Sequence, residues 1–331
     1  LKSAISLDYA KMYNYFFDQH SDKIAHSIIS MTLSKSLEKK TNDLFFSFIE
    51  KFKKVCPSVF DTFNWDTSLL GNACQYGKIE PFYFIINLID KKNNPSFTNV
   101  FCKAASSNSL EMCKYLIDNK FMINFVELFQ QLSKVPNVSS EIISFLFNNS
   151  GLEFDKVIFL PLLSPAIKNS NVNFVAFLIE RGIFYDECLI DAVSVKNLDI
   201  VNIILKYNSS PKFINRGSED GTALHLAITK DNLEILQKLL TIPSINPYMY
   251  DKNNQTPLML AVNQMRFPMI KEIISFSGKN IVYHRESIDA LLEMLFKGFP
   301  PSRSKYNYGY HNYGYHNYSF YQSNSTINDI I

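Results

Sequence analysis

The same apolar pattern follows an alanine at several points in this chain. Ala166, Ala192, Ala227 and Ala261 each precede an apolar residue six positions on: Val172, Leu198, Leu233 and Phe267. Apolar pairs follow at eight and nine positions after the alanine, as in Ile235-Leu236, and at twelve and thirteen, as in Leu239-Leu240. Ala73 and Ala104 head looser copies, with Ile85-Ile86 and Leu116-Ile117 in the last pair of places. The intervals are 31, 62, 26, 35 and 34 residues, and the long one has room for a degraded copy around Glu141–Phe147. Fixed-period self-similarity of this length signals stacked supersecondary units.

The spacing dictates the unit. Apolar residues three and four apart line one face of a helix. The alanine ends a preceding short helix, where a small side chain lets two helices approach closely. A polar turn such as Lys230-Asp231-Asn232 separates the two. One helix–turn–helix pair cannot bury both its faces alone, so neighbours must stack. The expectation is an all-α solenoid.

Two units carry a more specific motif. Asp220-Gly-Thr222-Ala-Leu224-His225-Leu-Ala227 and Asn254-Gln-Thr256-Pro257-Leu258-Met-Leu-Ala261 resemble the ankyrin signature T-P-L-H-x-A. The weaker upstream units resemble the divergent ankyrin-associated domain of unknown function common in protists. Weak units included, the resemblance spans about 65–280. It implies an ankyrin-like solenoid with one or two β-hairpin fingers, near 212–222 and 246–256. The step of 26 residues from Ala166 to Ala192 leaves no room for a finger, so a short loop is expected there and an interrupted groove. The organisation expected is a helical amino-terminal region or cap over 1–64, divergent repeats over 65–210 and two recognisable ankyrin repeats over 211–281. A capping helix follows at 282–301, centred on Glu286–Phe296. The last part, 302–331, repeats Tyr-Gly-Tyr-His-Asn, lacks aliphatic residues at its start and is expected to be disordered.

Composition excludes several functions. Lys plus Arg is 33 and Asp plus Glu 31, so a whole-chain polyanion binder is not expected. Gly is only 10 of 331, and no Gly-rich phosphate loop or Gly-x-Ser-x-Gly elbow occurs. Aromatics reach 14%, which either AT-rich codon drift or a functional aromatic surface would explain. Five cysteines lack any Cys-x-x-Cys pair, so no zinc site or cofactor is expected, and a reducing compartment follows. That places the protein in the cytoplasm, with the nucleus also compatible. The apolar run Val157–Ile167 is too short to span a bilayer. The chain begins at Leu1, so the lack of a leader carries little weight.

Candidate chemistry resolves mostly into structure. His225 reads as a general base or, by resemblance, as the motif histidine that hydrogen-bonds within and between turns. Glu219 with Asp220, and Asp186 with Glu187, read as acid–base pairs or as solvated turn charges. Cys102 and Cys113 read as a redox pair or as small buried groups. No enzyme is expected, nor a small-molecule substrate. The resemblance implies a non-catalytic scaffold that binds a partner protein. Its contacts fall on the second and third residues after each alanine: Gln75, Tyr76, Ser106, Ser107, Lys168, Asn169, Ser194, Val195, Thr229, Lys230, Asn263 and Gln264. Finger contacts fall on Ser218, Glu219, Lys252 and Asn253. The alternative is an RNA-associated or self-associating protein acting through its Tyr-rich tail.

Overall fold

A computed structural model describes residues 22–38, 42–55, 57–63, 65–89, 97–218 and 220–277. Cys56, Glu219, the helix expected at 286–296, the tail at 302–331 and the first 21 residues lie outside these. Two compact units divide the chain, 1–184 and 185–331.

The first unit is helical throughout its described length. It comprises α1 (Asp22–Leu37), α2 (Asp43–Val55), α3 (Pro57–Thr62), α4 (Thr67–Gln75), α5 (Ile79–Leu88), α6 (Thr98–Ser106), α7 (Leu110–Asp118), α8 (Phe125–Leu132), α9 (Ser140–Asn149), α10 (Lys156–Lys168) and α11 (Val172–Ile179). Helix α1 lies against α4, α4 against α6, α6 against α8 and α8 against α10. A second row runs from α7 to α9 to α11. The amino-terminal helices therefore continue the stack.

The second unit repeats the scheme with α12 (Cys188–Ser194), α13 (Leu198–Tyr207), α14 (Pro211–Ile214), α15 (Ala223–Thr229), α16 (Leu233–Leu240), α17 (Pro257–Asn263) and α18 (Phe267–Ser277). Its first row is α12, α15 and α17, and its second is α13, α16 and α18. Between α14 and α15, β1 (Gly217–Ser218) and β2 (Gly221–Thr222) pair antiparallel, with Gly217 opposite Thr222. This is the expected first finger. At 246–256 there is no strand. Asp251 caps that loop instead, its carboxylate accepting from the Asn253 and Gln255 backbone N–H groups.

The alanines do what their spacing requires. Ala73, Ala104, Ala166, Ala192, Ala227 and Ala261 are all fully buried. Four residues after each, the backbone turns left-handed: Gly77, Asn108, Ser170, Lys196, Asp231 and Met265 have φ between 54° and 64°. That residue reverses the chain, and in five of the six copies, all but that of Ala192, the alanine carbonyl then accepts from the N–H five residues on. These bonds measure 2.8 Å at Lys78, 3.1 Å at Ser109, 2.9 Å at Asn171, 3.0 Å at Asn232 and 2.9 Å at Arg266. The pattern closes a helix carboxy-terminus and satisfies carbonyls that would otherwise be orphaned.

The next helix starts at once. Side chains of Ser109, Asn171, Asn197 and Asn232 accept from the N–H three residues on. Such caps contribute about 1 kcal/mol each. Asn171 is fully buried, and its amide also donates to the carbonyls of Leu132 (3.0 Å) and Val135 (2.6 Å) in the preceding pair. Consecutive turns are tied the same way elsewhere. Asn108 donates to the Asn137 carbonyl at 2.9 Å and accepts from the Ser139 N–H at 2.7 Å. Asn215 bridges Ser244 and Asn246 at 2.8 Å and 2.7 Å.

The degraded copy expected near Glu141–Phe147 is the α8–α9 pair. Fully buried Ser133 stands where the alanine would, and Asn137, with φ of 63°, makes the turn. One extra residue then precedes the cap, because Ser139 rather than Val138 caps α9. The apolar pairs shift accordingly to Ile142 and Ile143.

The residue six after the alanine departs from its expected role. Ile79 is 36% exposed, and Leu110, Val172, Leu198, Leu233 and Phe267 are half-buried. It sits at the first turn of the second helix, at the edge of the core. The pairs at eight and nine, and the first residue of the pair at twelve and thirteen, carry the core instead, with Met112, Cys113, Phe174, Val175, Ile200, Val201, Ile235, Leu236, Met269 and Ile270 all buried. Phenylalanine fills much of the first unit: Phe45, Phe52, Phe82, Phe97, Phe101, Phe129, Phe159 and Phe174 are fully or almost fully buried.

Candidate functional site

The inner ridge of each pair runs along the first helix to the second and third residues after the alanine. Gln75, Lys168, Asn169, Thr229 and Asn263 are exposed, as is Tyr76 at 40%. Ser106, Ser107, Ser194, Val195, Lys230 and Gln264 are half-buried. Several of these have their donors turned back onto the helix. Ser106 donates to the Cys102 carbonyl, Ser107 to Ala104, Ser194 to Asp191, Thr229 to His225 and Asn169 to Pro165. Their hydroxyl and carbonyl oxygens remain acceptors only. Gln75, Lys168, Lys230, Asn263 and Gln264 make no side-chain hydrogen bond to another described residue, and Tyr76 presents an apolar ring.

At the fingers, Ser218, Lys252 and Asn253 are exposed. Lys252 pairs with Asp220 at 3.2 Å, tying one finger to the next loop, while Ser218 Oγ donates to the Gly221 carbonyl at 3.3 Å. These side chains belong to two different turns and converge on no reacting centre.

His225 is fully buried. The Thr222 backbone N–H donates to its Nδ1 at 3.1 Å, and Nε2 lies 2.9 Å from the Gln255 carbonyl. A backbone N–H can only donate and a carbonyl can only accept. The imidazole is therefore neutral, with its proton on Nε2. Burial pushes its pKa below the ordinary value, opposed by the Gln255 carbonyl and Asp251. Both nitrogens are committed, so His225 links two repeats and offers no lone pair to a substrate. Gly221 makes room for it, with φ of +94° and a would-be Cβ only 2.8 Å from the imidazole Cγ. Thr256 caps α17 through its Oγ1, and Leu224, Pro257 and Leu258 are buried.

The other chemical candidates resolve into ties as well. Asp186 and Glu187 both accept from the Arg216 guanidinium, at 2.6 Å and 3.2 Å. Cys102 and Cys113 do lie on the two helices of one pair. Cys113 is buried, and burial pushes its thiol up to about 12. Its electrostatic neighbour is Cys74 rather than Cys102. Cys188 is likewise buried and pushed up to about 12. Thiolates, the reactive form, are thus disfavoured. Among the described residues no group of three or more His, Cys, Asp or Glu is placed to hold a metal ion. No described helix is long and apolar enough to cross a membrane.

A groove that the sequence did not single out crosses the first unit. Thr67, Ser68 and Gly71 of α4, Asn99, Val100, Cys102 and Lys103 of α6, and Gln131 of α8 line it. It extends the same inner ridge one and two helical turns before Gln75 and Ser106. The four-residue spacings Thr67–Gly71–Gln75 and Asn99–Lys103 put these residues on the ridge of each helix, but not beside one another. A polar ladder fixes its floor. Lys103 Nζ donates to Asn72 Oδ1 at 3.2 Å, and Asn72 donates onward to Ser34 at 3.0 Å. Gln131 donates to Asn99 at 3.0 Å and to Glu127 at 3.1 Å.

Comparison with known proteins agrees with the second unit's geometry. Residues 189–284 match the family model of ankyrin repeats in three copies. Among solved structures, the chain is similar to the crystal structure of the ankyrin repeat domain of Bcl-3, described as a unique member of the IkappaB protein family. The likeness has 18% sequence identity and a TM-score of 0.44, and covers 62% of this chain and 96% of that one. No curated protein matches the chain.

Proposed function

We propose that this chain, whose residues 189–284 are ankyrin repeats, is a non-catalytic module that binds a partner protein along its inner ridges. The observation that carries this reading is the treatment of polar side chains. Those with chemical potential (His225, Asp186, Glu187 and Asp220) are consumed in ties between repeats. On the inner ridges, Gln75, Lys168, Lys230, Asn263 and Gln264 keep side chains without a hydrogen bond to another described residue, on a backbone held by caps and turns. A rigid surface binds without first being ordered, which lowers the entropic cost of association. Tyr76 is the natural anchor, because an exposed aromatic beside Gln75 supplies both contact area and a hydroxyl.

The test is capture of partners by the intact chain, followed by charge reversal on the ridges. Lys168→Glu with Lys230→Glu and Tyr76→Ser should cut capture at least tenfold. Glu141→Lys with Gln237→Lys, on the second row of helices, should leave it within twofold. Equal loss from both sets, or from neither, would overturn the assignment to the inner face. Removal of residues 302–331 with loss of every partner would move the activity to the tail.

A further inference from the structure

The inner groove of the first unit is built around a half-buried ammonium. Lys103 runs across α4 because Gly71 has no side chain there. A Cβ on Gly71 would lie 3.0 Å from Lys103 Cδ and 3.3 Å from Nζ. One N–H of the ammonium is taken by Asn72 Oδ1, itself anchored by Ser34. Among the described residues, no carboxylate lies within 4.0 Å of Nζ. The described ion pairs of lysine are Lys35–Glu38 and Lys252–Asp220. Around the ammonium, the groove lining is the neutral set Thr67, Ser68, Asn99, Cys102 and Gln131, with no acid in it. Two acids next to lining residues hold other duties: Asp66 caps α4 through the Ser68 and Leu69 N–H groups, and Glu127 accepts from Gln131.

A partly desolvated cation with spare donors favours an anion over a neutral group. The hydroxyls of Thr67 and Ser68 and the amide of Asn99 can donate to the same guest. We infer that this groove receives an acidic side chain, Asp or Glu, from an extended segment of the partner protein, with Lys103 as the charge anchor. Gly71 and Asn72 are positioning residues that hold the lysine across α4. The inference rests on the inner-face reading above and adds the charge of the partner to it.

The test uses the intact chain and fluorescein-labelled 12-residue peptides of alternating Glu-Ser, Gln-Ser and Lys-Ser, read by fluorescence anisotropy. The Glu-Ser peptide should bind at least tenfold more tightly than the Gln-Ser peptide, and its affinity should fall with salt. Lys103→Met should weaken it at least fivefold, Lys103→Arg should restore at least half of that loss, and Lys114→Gln, at an exposed position of α7 in the second row of helices, should change it less than twofold. Circular dichroism and melting temperature confirm that each variant is folded, and Gly71→Ala, which displaces the lysine without deleting it, supplies an independent variant. Equal binding of the Glu-Ser and Gln-Ser peptides overturns the inference, as does an unchanged affinity in Lys103→Met. If the ridge variants of the previous section abolish partner capture while Lys103→Met does not, the acidic guest is wrong and the inner face stands. If neither changes capture, both fail.

Discussion

Replacement of Gly221 by alanine tests how the ankyrin motif is wired. At φ of +94°, an L-residue is strained by about 1–2 kcal/mol. The added Cβ would also lie 2.8 Å, 2.9 Å and 3.0 Å from His225 Cγ, Cβ and Nδ1. Those atoms are not the free end of a flexible chain. The imidazole is held at both nitrogens, by Thr222 and by Gln255. Relief requires giving up at least one buried hydrogen bond, at about 1–3 kcal/mol. The sum is about 2–5 kcal/mol, or a loss of about 1.5 to 3.5 decades in amide protection at 1.4 kcal/mol per decade. Hydrogen exchange read over 217–263 in the intact chain would measure it. The decisive arm is the same substitution in a His225→Ala background. With the ring gone, the contacts with Cγ and Nδ1 and the hydrogen bonds at stake disappear, so the cost should fall to the backbone strain of about 1–2 kcal/mol and whatever the remaining Cβ contact at 2.9 Å adds. An identical cost in both backgrounds would refute the claim that glycine is required there by the histidine.

Four further outcomes are expected. His225 is kept neutral by burial, so its folded pKa lies below its unfolded one; the unfolded chain then binds more protons, and stability contributed by the histidine is present above about pH 6.5 and falls as pH drops through that value. Urea midpoints at pH 7 and pH 5 would show the difference, and a His225→Gln variant should show a smaller one. Ala227→Leu should overpack the contact of α15 with its neighbours and cost about 1–3 kcal/mol, checked by melting temperature. Asn171→Asp keeps the shape but removes the donors to Leu132 and Val135, at about 2 kcal/mol or more, and a spectrum and urea midpoint matching the parent would contradict the bond assignment. Met265→Gly relieves a left-handed non-glycine on the surface and should raise stability by up to about 1 kcal/mol in the same assay.

Much of this architecture could be read before any coordinates. The burial of all six alanines and of the apolar pairs behind them follows from helical spacing alone, because periodicity fixes which side chains share a face. The half-exposed position of Ile79 and its counterparts was not legible, since spacing gives direction around a helix but not depth at its ends. The α8–α9 pair was legible only as a degraded copy around Glu141–Phe147, because serine replaced alanine and one residue was inserted; a small residue with Asn four places on was its remaining trace. The strand-free loop at 246–256 depends on Asp251, whose carboxylate closes the turn through local bonds in place of a ladder. The groove at Lys103 was missed for a different reason. Its character comes from Gly71 on a separate helix, 32 residues away in sequence, and only packing brings the two together.

The reversal after each buried alanine asks for a backbone shape, and glycine, asparagine, serine, lysine, aspartate and methionine all supply it in this one chain. Such a hinge lets the recognisable letters of a module erode while its pitch survives. Distant members of arrays like this are better sought by a small residue, a polar cap five places on and two apolar couplets than by any consensus word.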